Sequence, residues 1–534
     1  MAHMFSSLLP PHLLRRLGVL GVCAALLLPV APAQAQLNSN RLPNLGDGAE
    51  VPLGVERRLG ESIAREIYRD PDYLDDPVLG DYVQSIWQIL LASSRQRGEL
   101  TPELEQQFAW EVSLIRDRSI NAFALPGGYL GVHLGLISAV SSADELASVL
   151  AHELSHVTQR HIARMIAQQG RQGPMVMGAM ILGMLAASRT ANASSMSAAN
   201  AVMVGGQAAA IQSQLNFSRD MEREADRIGY GVMTEAGYEP QGFVTMFEKL
   251  QQASRLNDNG SFPYLRSHPM TTERISDAQA RQQLLPARAV VASTPTHAMM
   301  SARAQVLAKP GVDVLHSMAA LANATSLSVE SKAKQAGILY GAAMAEMQQR
   351  NFSAARQQLL RLQSLNGLDP SALRVVRLLA AELALTSGDA AQAVALLEPK
   401  ATVLANNDRA TRMQLARSRV GTQKPAQAKM AATELSLWLN QHPRDASAWL
   451  LQASAYELQG DALRAIRAQA EARAMELDYG AAVDRFKAAQ TLAHQMASEG
   501  KLDRGGHVEA SIIDARLRDL ERLRREQALE RGIN

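Results

Sequence analysis

The stretch Val149-Leu-Ala-His-Glu-Leu-Ser-His-Val157 contains His152-Glu153-x-x-His156. On an α-helix, residues four apart stand one above the other on one face, so both imidazoles can reach a single metal ion. Glu153 can reach a water bound to that ion. Zinc suits the arrangement: it accepts neutral imidazole nitrogen and, with three protein ligands, keeps a position for water. It also makes that water acidic enough for a carboxylate to deprotonate near neutral pH. His152 and His156 are therefore the expected ligands of one zinc per chain, and Glu153 the general base.

Two histidines do not hold a catalytic zinc alone. A metzincin would place a third histidine at position 162, which is Ile; His161 misses it by one and is expected as a polar surface residue. The better candidate lies in Ser218-Arg-Asp-Met-Glu-Arg-Glu-Ala-Asp226. If this is a helix, Glu222 and Asp226 share a face and Glu224 points away, so that removing Glu224 should matter little. Glu222 can complete the zinc site. Asp226 can accept a hydrogen bond from the far nitrogen of a ligating histidine and fix its tautomer.

These side chains need rigid carriers. Ser142-x-x-Glu145 reads as a capping box, and Leu146, Val149, Leu150, Leu154 and Val157 follow at helical spacing. Upstream, residues 52–95 carry helical periodicity broken by a turn at Asp70-Pro71-Asp72. Trp110, Val112 and Leu114 alternate as in a strand. Asn121-Ala-Phe-Ala-Leu-Pro-Gly-Gly128 then reads as a strand running into a turn, its proline suggesting a sheet edge. An edge strand beside a metal can pair with an extended peptide; an ordinary hairpin explains the pattern equally well.

Here the chain resembles the M48 peptidases, which are zinc-dependent gluzincins. The resemblance rests on His152-Glu-x-x-His156, Glu222-x-x-Ala225-Asp226, Asn121–Gly128, Ser267-His268-Pro269 and Glu273-Arg274-Ile275, and runs from about Pro52 to Ala280. It implies that His152, His156 and Glu222 hold zinc, that Glu153 shuttles protons, that Asp226 orients a histidine, and that Asn121, Ala122, Phe123, Ala124, Gly127 and Gly128 line the substrate cleft. It also places the His268 imidazole near the open zinc position. There it could close the site as a fourth, inhibitory ligand or stabilise an oxyanion, and the inhibitory role is the one expected.

Around this core the chain divides into segments. Residues 1–35 read as a secretory signal, with Arg15 and Arg16 before an apolar stretch and Ala33-Gln34-Ala35 as the cleavage site. Its removal takes away Cys23, the single cysteine. It also takes two of the 54 basic residues, leaving a mature chain balanced against 52 acidic ones. No basic tract stands out as a nucleic-acid footprint. Residues 36–284 are expected to form the peptidase domain. Within it, the stretch from Pro174 to Ser218 has Arg189 as its single charge and reads as an apolar hairpin, either buried or facing a membrane or nonpolar partner. Residues 285–296 read as a linker.

Residues 297–534 are helical in pattern. Turns beginning at Arg350, Gly388, Gln423 and Gly460 recur at about the tetratricopeptide period of ~34 residues. Trp449, Tyr456, Gly460, Ala465 and Ala472 fit that repeat's offsets. Aromatics make up 4% of the chain, which favours helices. The expected fold is therefore mostly α: a gluzincin-type domain with a small β-sheet, then an all-α superhelix of the kind that binds extended segments or partner proteins. A secreted M48 peptidase with such repeats resembles periplasmic proteases of outer-membrane quality control. That implies unfolded or misassembled proteins as substrates, an outer-membrane assembly machine as partner, and the periplasm as location. The alternative is a chaperone or scaffold whose protease site is mostly idle.

Overall fold

In the computed structural model, residues 51–168, 219–255, 263–283, 293–401 and 408–532 are described. The signal segment 1–35, the apolar hairpin 174–218 and most of the linker 285–296 lie outside them. The metal-motif stretch forms helix α5 (Ala143–Thr158), in chain order after α1 (Leu53–Tyr68), α2 (Pro77–Gln96), α3 (Pro102–Gln107) and α4 (Leu134–Ala139). Ser142 caps it, its Oγ accepting from the Glu145 N–H at 3.2 Å. The reciprocal half of the box lands one residue early: the Glu145 carboxylate accepts from the Ser141 N–H at 2.7 Å. Leu146, Leu150 and Leu154 are completely buried. Each contributes roughly 1.5–3 kcal/mol on burial, which anchors the helix without help from the motif.

Four short strands, β1 (Tyr73–Leu74), β2 (Glu111–Ile115), β3 (Ala122–Leu125) and β4 (Tyr129–His133), pair in the order β1-β2-β4-β3. β2 and β4 run parallel, and the other two pairings are antiparallel. β3 is thus an edge strand, and it lies against α5. The turn between β3 and β4 holds Gly127 at φ +71°, where a Cβ would come within 2.7 Å of the Arg57 backbone. Gly127 and Gly128 therefore seat the turn against α1 and residues 108–110.

After α6 (His161–Gln168), helix α7 (Arg219–Glu235) packs across α5. Gly229 makes this approach possible: a Cβ there would stand 3.0 Å from the Ala151 carbonyl oxygen and the His152 nitrogen. Helices α8 (Gln241–Arg255), α9 (Tyr264–Ser267) and α10 (Thr272–Gln283) close this region, and no helix among the described residues is long and apolar enough to cross a membrane.

Helix α11 (Pro295–Leu307) begins inside the stretch read as linker and packs on both halves of the chain. Its Arg303 is buried and grips the Asp76 carboxylate, the cap of α2, with bonds of 2.8 and 2.6 Å. Beyond α12 (Val312–Leu321), the described residues from Lys332 to Gly532 are helices, each packed on its neighbours in sequence. The four turns named from the sequence share one conformation: Arg350, Gly388, Gln423 and Gly460 all have positive φ. Arg409 bridges Asp445, which caps the next repeating helix, and Asp75 of the sheet region, with every bond between 2.7 and 2.8 Å. The described residues accordingly form one compact unit.

The α5–α7 crossing yields a prediction. Gly229→Val should destabilise the fold by about 1–3 kcal/mol through overpacking and spread the two helices apart. Urea unfolding and zinc content of the purified variant check it; both should fall together.

Candidate metal centre

Helix α5 projects His152 and His156 inward, α7 brings Glu222, and His268 follows directly after α9. All four side chains are at most 2% exposed. One nitrogen or carboxylate oxygen from each lies within 4.8 Å of the others. His152 Nε2 and His156 Nε2 are 3.0 Å apart. His152 Nε2 is 3.3 Å from His268 Nδ1, which is 3.0 Å from Glu222 Oε1. Glu222 Oε1 is 3.4 Å from His156 Nε2, and its Oε2 is 3.6 Å from His152 Nε2. A tetrahedral ion with ligands at about 2.0–2.1 Å requires donor–donor edges of about 3.3 Å. The donors present fit a zinc-sized ion.

The far sides of the two histidines show why. His152 Nδ1 lies 2.9 Å from Asp226 Oδ1, and a carboxylate can only accept, so this nitrogen carries the hydrogen. His156 Nδ1 lies 2.8 Å from His161 Nδ1, whose other nitrogen lies 3.1 Å from Glu224 Oε2. His161 thus gives its hydrogen to Glu224 and accepts one from His156. Burial pushes the His161 pKa down, which keeps it neutral. Both Nε2 lone pairs then face the centre at 3.0 Å, an arrangement that needs a cation between them. In the absence of a metal, a proton serves. Although burial opposes it, the bonds to Asp226 and Glu222 raise the His152 pKa to about 9. His156, buried beside that charge, is held well below its usual value.

Burial raises the Glu153 pKa, against the opposing pull of His268 and His152. Its Oε2 accepts from the Ala124 N–H of strand β3 at 2.9 Å, while the buried Oε1 makes no hydrogen bond. Burial works against the Glu222 charge too, but the two histidines beside it hold the carboxyl well below the usual range.

The structure brings together the expected donors His152, His156, Glu222 and His268, from three separate segments, and adds three supports that the sequence did not indicate. Arg274 is buried and clamps Asp226 with bonds of 2.6 and 2.7 Å; its Nη1 lies 2.8 Å from Glu222 Oε2. The sequence offered no signal for it beyond its place in Glu273-Arg274-Ile275. Tyr264 stacks on His268, with ring centroids 4.6 Å apart. The third is His161, a correction: expected at the surface, it is fully buried. Arg160 at φ +53° ends α5's course, so helical spacing could not be extended through it.

A model of the peptidase family M48 matches residues 83–282. A protein of Vibrio cholerae called a putative beta-barrel assembly-enhancing protease is 31% identical over 344 residues, 64% of this chain and 67% of that one. The chain belongs to peptidase family M48. The beta-barrel assembly-enhancing protease of Escherichia coli K12 is 28% identical over 506 residues, covering 92% of this chain and 94% of its own. A mitochondrial metalloendopeptidase of Schizosaccharomyces pombe is 28% identical over 236 residues, 42% of this chain and 60% of that protein. As an M48 member the chain is a metalloendopeptidase, and the buried His/Glu group is where its metal can bind.

The raised His152 pKa sets a sign. Below about pH 9 the metal-free His152 is protonated, and a metal must displace that proton, whereas His156 has none to lose. Zinc binding at pH 7–8 should therefore release about one proton, and affinity should rise about tenfold per pH unit until it levels near pH 9. Titration calorimetry in buffers of different ionisation enthalpy reads the number directly; a count of zero or two contradicts the assignment.

Proposed function

We propose that the chain is a periplasmic, zinc-dependent endopeptidase that degrades misassembled or stalled proteins in the quality control of outer-membrane proteins. The observation that carries this reading is the four-donor buried cluster with Glu153 beside it, backed by relatives named for enhancing β-barrel assembly. The periplasmic location rests on the reading of residues 1–35 as a signal.

His152, His156 and Glu222 would hold the zinc. When bound, zinc supplies a Lewis acid that polarises a peptide carbonyl and acidifies water. Glu153 takes the proton of the attacking water and delivers it to the leaving nitrogen. Oε1 is the atom for this task, because Oε2 is held by Ala124. Strand β3 positions the client. The Asn121 carbonyl accepts from the His133 N–H at 3.0 Å, so residues 121, 123 and 125 turn toward β4. The backbone of Ala122 and the carbonyl of Ala124 then turn to the side of β3 that no described strand pairs with, where an extended peptide would add a strand once this buried edge is uncovered. His268 sits among the zinc donors and acts as an inhibitory fourth ligand, held there by its stack on Tyr264. The helix pairs after residue 332 serve as tetratricopeptide-type repeats that engage the client or an assembly machine.

Glu153→Gln should keep one zinc per chain and lose cleavage of an unfolded outer-membrane protein by at least about 100-fold. His268→Ala should raise basal cleavage of the same substrate. A time course with zinc content measured in parallel separates the roles: normal cleavage by Glu153→Gln removes the general base. Slower cleavage by His268→Ala replaces the inhibitory role with oxyanion stabilisation.

A further inference from the structure

The two ligand histidines are supported unequally. His152 has a carboxylate directly behind it, and that carboxylate is locked by Arg274. Behind His156 stands a second imidazole, His161, and only behind that the carboxylate of Glu224, with Arg164 Nη1 on the same oxygen at 2.8 Å. We propose that His161 and Glu224 are positioning residues of the metal centre, forming an imidazole–carboxylate relay that fixes His156 in the tautomer able to bind metal.

The argument is one of hydrogen-bond direction. Glu224 is an acceptor only, so it fixes the hydrogen of His161 on Nε2. His161 Nδ1 is then an acceptor only, which fixes the hydrogen of His156 on Nδ1. The lone pair of His156 Nε2 is left for the metal. Without Glu224, His161 can adopt its other tautomer and donate from Nδ1. His156 would then have to carry its hydrogen on Nε2, inside the donor cluster, where it blocks coordination. The geometry suits this role. His161 and His156 are both buried, their nitrogens are 2.8 Å apart, and their rings are edge-on at 78°. The relay also gives Glu224 a function that its helical position conceals. It points away from the metal, yet α6 turns back after Arg160 and brings His161 into the gap between Glu224 and His156. Removing Glu224 should therefore matter, contrary to the expectation from helical spacing alone.

The proposal rests on the zinc reading, and the test separates the two. Zinc dissociation constants of the full chain are measured by competition with a chromophoric chelator at fixed pH, and unfolding of each metal-free variant is followed by heat. Glu224→Leu and His161→Phe should weaken zinc binding about 10-fold or more. His161→Asn should bind within a few-fold of the wild type, because an Asn oxygen can overlay the imidazole Nδ1 and accept from His156. A purely structural role would instead lower the metal-free unfolding temperature of all three while sparing zinc affinity, and that result overturns the relay. So does a His161→Asn chain as weak as His161→Phe. Should His161→Phe fail to fold, Glu224→Leu still decides, since the Glu224 side chain is 30% exposed. A wild-type chain that binds no zinc removes the zinc reading itself, whereas strong binding by wild type and Glu224→Leu alike removes the relay alone.

Discussion

Two imidazole lone pairs pointing at each other across 3.0 Å in the buried interior form the constraint on which this molecule depends. An ordinary hydrogen bond nets only about 1 kcal/mol, while each buried charge left without a partner costs several. The site concentrates Glu153, Glu222 and Asp226 beside four histidines within a few residues' reach. Such a set is tolerable only with compensating positive charge at its centre and at its back. Arg274 supplies the charge at the back, reaching both Asp226 and Glu222. The centre takes a proton or a metal.

The rest of the fold serves to hold these donors still. Leucines of α5 anchor the motif in the core, and Gly229 lets α7 approach closely enough for Glu222 to share the site. Strand β3 is tied to the same site through the bond between Ala124 and Glu153, so that the strand and the Glu153 carboxylate move together. The helical half is not a loose appendage. Arg303, Arg374 and Arg409 fasten three of its helices to aspartates in the segment from Asp75 to Asp81. Two of the three, Arg374 and Arg409, also hold the aspartate that caps a following helix, so the ladder that links successive helices also docks them.

Much of this was legible in the sequence because the information is local. The i, i+4 spacing of His152 and His156 survives as helix geometry, as does that of Glu222 and Asp226; alternation located β2, and the Pro126-Gly127-Gly128 turn marked the end of β3. The turns at Arg350, Gly388, Gln423 and Gly460 mark the helix pairs, whether or not a glycine supplies the positive φ. What escaped is non-local. Arg274 is separated from Asp226 by 48 positions, and nothing in its own helix announces that it will be buried. His161 was lost for a different reason: it was weighed against the metzincin spacing, which it misses by one, and that spacing says nothing of the turn at Arg160 (φ +53°) that carries it behind His156. Gly127 and Gly128 seat the β3–β4 turn against α1 and residues 108–110 respectively, contacts that no spacing rule contains.

The most direct test of the account is X-ray absorption at the zinc edge on the full-length chain as isolated. A closed site of His152, His156, Glu222 and His268 predicts four nitrogen or oxygen neighbours at about 2.0–2.1 Å, with the outer-shell scattering of three imidazoles and no sulfur. A zinc bound by six oxygens, or with no imidazole around it, would contradict the claim that these buried donors exist to hold the metal.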